Sequence, residues 1–224
     1  MLRERRIPRG EKRRDEIAAV AEQVFLELGF NDTTMQIVAS RAGASKETLY
    51  RHFGSKEGLF AEIVRARSER IYGQVEREIG QRNDPREVLK QLGSNLLGKL
   101  LSEDPLCLFR IVISEVQRTP ELGRIFFEQG PSHLLKDLSN YLEYATRQGM
   151  LTCEEPVVAA KIFLGAVVAN RHIIKLVAPD YEEITEELIH HHVEEAVRVF
   201  LAAYGPRTDA REGRPQPALE HGHA

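Results

Sequence analysis

Five prolines each follow a residue suited to starting a helix, in Asp84-Pro85, Asp104-Pro105, Thr119-Pro120, Gly130-Pro131 and Glu155-Pro156. Proline's fixed φ and missing N–H fit the first position of a helix and disrupt its interior, so each pair reads as a helix opening. Between these points apolar residues recur three and four apart, as in Leu89, Leu92, Leu96 and Leu100, and in Leu134, Leu135, Leu138, Tyr141, Leu142 and Ala145. No window holds a sustained two-residue alternation bounded by hairpin turns. The expected fold is all-α, with about nine or ten helices.

The front of the chain uses the same punctuation over shorter intervals. Ile17, Val20, Ala21, Val24, Phe25 and Leu28 form one apolar stripe that Gly29 stops. Thr33, with Gln36 three residues on, predicts a capping-box start for a short helix through Ile37, Val38 and Ala42, ended by Gly43. Ser45 caps a third short helix, Lys46 to Phe53, with Leu49 and Phe53 inward, before Gly54 and Ser55 restart the chain. Two short helices across a tight Gly43-Ala44 turn, with small Ala39 allowing their close approach, have the spacing of a helix-turn-helix. The second helix would then enter a DNA major groove, where Lys46, Thr48, Arg51 and His52 donate hydrogen bonds and Tyr50 offers a ring and a hydroxyl. Charge agrees with this: residues 1–56 carry 11 Lys and Arg against 8 Asp and Glu, whereas residues 57–205 carry 17 against 23. Attraction to phosphate depends on the local patch, so the overall net charge of -3 does not oppose a nucleic-acid partner.

Other classes find little support. The longest uncharged apolar stretch, Ile162 to Asn170, is far short of the roughly 20 residues of a membrane-spanning helix. The N-terminal arginines Arg3, Arg5, Arg6 and Arg9 precede no apolar signal core, so the expected location is the cytoplasm. Cys107 and Cys153 make no disulfide framework, and in that compartment they are expected to be reduced. A redox sensor on either thiol is a further reading, which native thiol titration separates. His190-His191-His192 invites a metal, but adjacent helical residues splay by about 100° and cannot converge on one ion. There is no Gly-rich phosphate loop, no Gly-x-Ser-x-Gly elbow and no His-Glu-x-x-His, so neither an enzyme, a metal site nor a cofactor is expected.

The run Thr33-Thr34-Met35-Gln36-Ile37-Val38-Ala39, continued by Gly43-Ala44-Ser45-Lys46-Glu47-Thr48-Leu49-Tyr50-Arg51-His52-Phe53-Gly54-Ser55-Lys56-Glu57-Gly58-Leu59-Phe60, strongly resembles the TetR/AcrR family of bacterial transcriptional regulators. With Ala21, Phe25, Gly29 and Phe30 the resemblance covers roughly residues 14 to 62. Thr119-Pro120-Glu121-Leu122 and Gly149-Met150-Leu151 look like the AefR-type branch. The resemblance implies a homodimer on a palindromic double-stranded DNA operator, usually a repressor, released or modulated by a small molecule of unknown identity. It implies phosphate contacts from Thr33 and Thr34 at the start of the second helix and from Lys56 at the start of the fourth. Tyr50 and His52 would meet the DNA backbone, Ser45, Lys46 and Thr48 bases or phosphates, and Met35 and Arg51 the operator sequence. Arg13 and Arg14 would extend along the backbone or into the minor groove.

Three segments are expected: residues 1–56, a basic arm and DNA-binding head; residues 57–204, a helical regulatory and dimerisation body; and residues 205–224, a disordered tail rich in Pro, Gly and charge. Phe109, Ile113, Phe126, Phe127, Tyr141 and Phe163 concentrate aromatic and apolar bulk mid-chain, and with Arg110, Asn170 and Arg171 they are candidates for a ligand pocket, with plain core packing as the competing reading. The last two helices, about Pro156 to Val177 and Tyr181 to Tyr204, resemble the family's dimer-forming pair, through Gly165, Ala169, Leu188, Val193, Val197 and Phe200. The alternative to a regulator is a helical ligand-binding or scaffold protein whose DNA head is idle.

Overall fold

The computed structural model describes residues 9–80 and 84–206, with the backbone alone for residues 9, 72, 74–80 and 169. The expectations placed on Arg3, Arg5 and Arg6, on the side chains of Arg9 and Ala169, and on residues 207–224 of the tail lie outside the described residues. Ten helices and no strand are found among the described residues: α1 (Arg9–Asp32), α2 (Met35–Arg41), α3 (Lys46–Phe53), α4 (Lys56–Gly80), α5 (Pro85–Leu100), α6 (Glu103–Glu115), α7 (Glu121–Gln129), α8 (Pro131–Arg147), α9 (Pro156–Val177) and α10 (Glu186–Tyr204).

Pro85, Pro131 and Pro156 each sit in the first helical turn, as their dipeptides predict. Two openings differ. α6 starts from Ser102, so Pro105 falls at its third residue, where the N–H still needs no intrahelical acceptor. α7 takes Pro120 itself as its cap residue. α10 begins after Thr185, whose hydroxyl accepts from the Leu188 N–H, so Tyr181 lies in the preceding turn and is exposed. Gly29 breaks the helical backbone inside α1, and Gly43 and Gly54 follow α2 and α3 with positive φ.

Burial divides into two clusters. One joins α5, α8, α9 and α10 around Leu89, Leu92, Leu138, Phe163, Val193 and Val197. The other holds Ile17, Phe25, Phe30, Leu49, Phe53 and Phe60 of the first four helices together with Leu108, Ile111 and Val112 of α6 and Leu122 and Ile125 of α7. Residue 56 opens α4, a helix that packs against α1 at one end and against α5, α7 and α8 further along. Apolar packing therefore runs across the expected head-body division without a gap. No single helix among the described residues is long and apolar enough to cross a membrane.

Candidate nucleic-acid interface and cavity

α3 is amphipathic because its two apolar residues are four apart. Leu49 and Phe53 are buried against the head core, and Lys46, Glu47, Tyr50 and Arg51 are exposed. Ser45 caps the helix, its Oγ accepting from the Thr48 N–H at 3.1 Å and lying 2.8 Å from the Thr48 hydroxyl. Lys46 Nζ stands 5.9 Å from the Tyr50 ring centroid, within cation–π range. His52 is half-buried beside Phe53. Arg13 closes the turn between α2 and α3 by donating to the carbonyls of Ala42 and Gly43 at 2.9 and 2.8 Å. Gly58 sets the approach of α3 to α4: a Cβ there would lie 2.0 Å from the Phe53 carbonyl oxygen, inside any permitted contact.

Several expected roles change with this geometry. Thr33 is fully buried, its hydroxyl donating to the Gly29 carbonyl at 2.7 Å, so the cap of α2 is Thr34, which accepts from the Ile37 N–H at 3.2 Å. The Thr33 hydroxyl is therefore unavailable to phosphate, and exposed Thr34 is left at that end. Lys56 donates to the carbonyls of Phe30, Asn31 and Thr33 at 2.7, 3.3 and 2.9 Å, 4.3 Å above the Phe30 ring. Its ammonium closes the end of α1 and has no spare proton for phosphate. Met35 is buried and cannot read sequence. Arg13 and Arg14 lie within α1, the latter 2.6 Å from buried Glu62, so both brace the head. Glu47, quoted above only as part of a motif, stands on the outward face of α3, where a carboxylate can accept from a cytosine amino group. Its presence in the recognition helix was the available signal.

In the body, a cavity of about 290 Å³ lies among α4 to α9. Of the expected pocket residues, Phe109, Phe126 and Phe127 line it; Ser68, Leu96, Leu134, Val168 and His172 complete much of the wall and were not anticipated. The other candidates lie elsewhere. Tyr141 and Phe163 are core, Ile113 and Asn170 are exposed, and Arg171 pairs with Glu182 at 2.6 Å. Arg110 donates to the carbonyls of Lys175 and Leu176, closing the end of α9. Burial pushes Tyr141 up to about 12, and it holds the Cys153 thiol above and the His172 imidazole below their ordinary ranges. Cys107 and Cys153 are free thiols. A periodic apolar stripe carries no signal that separates lining from core, which is why helical spacing alone could not divide these residues.

Two polar bridges connect the wall of the cavity to the head. Arg67 lines the cavity and pairs with Glu22 of α1 at 2.5 Å and Asp104 of α6 at 2.7 Å. At the opposite end of α6, Glu115 accepts from Asn31. Val193, Val197 and Phe200 are buried in their own protomer, Phe200 edge-on to Phe163 at 5.3 Å, so they are not free for a dimer seam. The exposed side of α9 instead presents Val158, Ile162, Gly165, Ala166 and Ile173, and α10 adds Val199. Leu188 is half-buried.

The family model of the AefR-like transcriptional repressor C-terminal domain matches residues 87–206, and that of the bacterial regulatory proteins of the tetR family matches residues 17–63. The chain belongs to the TetR family. A TetR-family transcriptional regulator from Mesorhizobium loti superposes with a TM-score of 0.77 at 28% identity, covering 89% of this chain and 100% of that one. The flavonoid-responsive regulator FrrA superposes with a TM-score of 0.73 at 32% identity, covering 88% and 99%. The transcriptional activator FasR of Mycolicibacterium smegmatis is 33% identical over 38% of each chain. The transcriptional repressor KstR2 of Rhodococcus jostii is 34% identical over 36% of this chain and 39% of its own. The matches thus span under two-fifths of the length of these curated relatives. Among these TetR-family proteins are both an activator and a repressor; they are regulators, not enzymes.

Proposed function

We propose that this TetR-family chain is a transcriptional regulator, a repressor in its usual mode, that binds a palindromic operator as a homodimer and is modulated by a small molecule in the body. The observation that carries this reading is α3 itself, with Leu49 and Phe53 buried in the head while Lys46 in its first turn and Tyr50 and Arg51 further along are exposed. Ser45 is exposed and Thr48 and His52 are half-buried beside these residues in sequence, and Thr34 adds a hydroxyl at the start of α2. The dimer would form along the exposed apolar stripe of α9 with α10, which places two heads on two half-sites about one helical turn of DNA apart. The division into a head ending near residue 56 and a body to residue 204 belongs to the same proposal. The effector would occupy the cavity, and Arg67 with Glu22 and Asp104 would carry its arrival to α1, because a shift of α4 or α6 must remake these ion pairs, the one to Glu22 being largely shielded from solvent.

A footprint of the purified protein on the DNA flanking its own gene, with excess nonspecific competitor, tests the reading. Protection of a two-fold symmetric segment is expected. Tyr50→Ala should weaken binding to all sequences, while Arg51→Ala or Thr48→Ala changes the preferred sequence. No protection at micromolar protein, on this DNA and on selected random DNA, would favour an idle head.

A further inference from the structure

The cavity has one aromatic wall. Phe109 meets Phe126 edge-on at 5.4 Å and the His172 ring edge-on at 4.9 Å, and Phe126 meets Phe127 at 5.7 Å. Edge-on pairing leaves ring faces turned at steep angles to one another, an arrangement that receives a flat ring by stacking on one face and edge contact with the next. Leu96, Leu134 and Val168 add aliphatic lining.

The polar side chains lining the cavity among the described residues are few: Arg67, Ser68 and His172. Among the described residues Arg67 is the one cation lining the cavity, and its guanidinium already serves Glu22 and Asp104, so it brings no unbalanced positive charge. No carboxylate lines the cavity among the described residues. His172 is 8% exposed, and among the described residues no hydrogen bond to its ring nitrogens is found. Burial favours its neutral form, which offers one N–H donor and one acceptor nitrogen. An ion of either sign entering here would lose its hydration without gaining a counter-charge.

We infer that the cavity selects an uncharged, planar aromatic molecule carrying a hydrogen-bonding group directed at His172. This rests on the reading of the cavity as the effector site. The volume of about 290 Å³ is at the lower end of those that hold drug-sized ligands, so a two-ring skeleton suits it.

Four probes on one skeleton test this on the full-length protein by isothermal titration calorimetry: 2-naphthol, naphthalene, 2-naphthoate and 2-naphthylmethylammonium. The neutral hydroxyl compound should bind at least about tenfold tighter than either ion. His172→Leu should cost 2-naphthol about three- to tenfold, the range for one neutral hydrogen bond, and leave naphthalene unchanged. Val168→Trp, which fills the cavity, should abolish binding of all four. An ion that binds the unaltered protein as tightly as 2-naphthol overturns the ligand class and leaves the cavity as a binding site. Failure of every probe to bind, or binding unaffected by Val168→Trp, overturns the ligand class and the cavity reading beneath it.

Discussion

Replacing Lys56 by Met separates service to the fold from service to the nucleic acid. The ammonium donates to three carbonyls at the end of α1, where helical carbonyls lack intrahelical partners and the local dipole is negative. Methionine keeps an apolar stem against Phe30 and deletes only the charge and its donors. A hydrogen bond to a charged group contributes about 1.5–3 kcal/mol when well made. Lys56 is half-buried and its 3.3 Å contact is long, so the two shorter bonds, discounted for solvent, put the loss at about 3 kcal/mol. In a chain of this size that is a fall in Tm of roughly 6–12 °C. Thermal unfolding without DNA measures it, and the salt dependence of operator binding supplies the control. A lost phosphate contact would reduce the steepness of log K against log salt by about 0.9 per protomer, whereas loss of helix closure leaves the slope intact in the folded protein. An unchanged Tm with a shallower slope would refute the structural assignment and return Lys56 to the phosphate.

Gly58→Ala should destabilise the head by about 3 kcal/mol or more despite alanine's better helix propensity, because the new Cβ meets the Phe53 carbonyl; a Tm equal to or above that of the parent would contradict the close approach. His172 makes stability depend on pH. Its native pKa lies below 6.5, so the unfolded chain binds the proton first, and its contribution is complete above that value and lost as pH falls toward the native pKa; His172→Leu should flatten this limb in urea titrations, and an unaltered limb would refute the claim. Ile162→Glu puts a charge in the exposed stripe of α9 and should weaken dimerisation by roughly a hundredfold in sedimentation equilibrium while leaving the protomer's helicity intact; a persisting dimer would place the seam elsewhere.

How far the sequence reaches varies along the chain, for physical reasons. Ser45, Leu49 and Phe53 were legible because a cap and an i, i+4 pair are local signals that the structure retains. Thr33 and Thr34 were not separable: both can cap, and what turns the Thr33 hydroxyl inward is the Gly29 carbonyl beneath it. Lys56 read as a surface charge at a helix start because nothing in its neighbourhood announces carbonyls more than twenty residues back. In the body, Pro85, Pro131 and Pro156 marked helix starts, yet Arg110 and Arg171 went to a helix end and an ion pair, and Phe163 and Tyr141 to the core.

By itself the sequence determined the helical class, the positions of most helix ends, the helix-turn-helix and its outward face, since propensity, capping and period act over a few residues. The tertiary structure decided which apolar stripes meet and which remain exposed, so it alone assigned Val197 and Phe200 to the protomer core and Ile162 to its surface. It also decided that Arg67 and His172 line one cavity with Phe109. Those choices depend on how helices cross, and a crossing brings together residues that no sequence window contains.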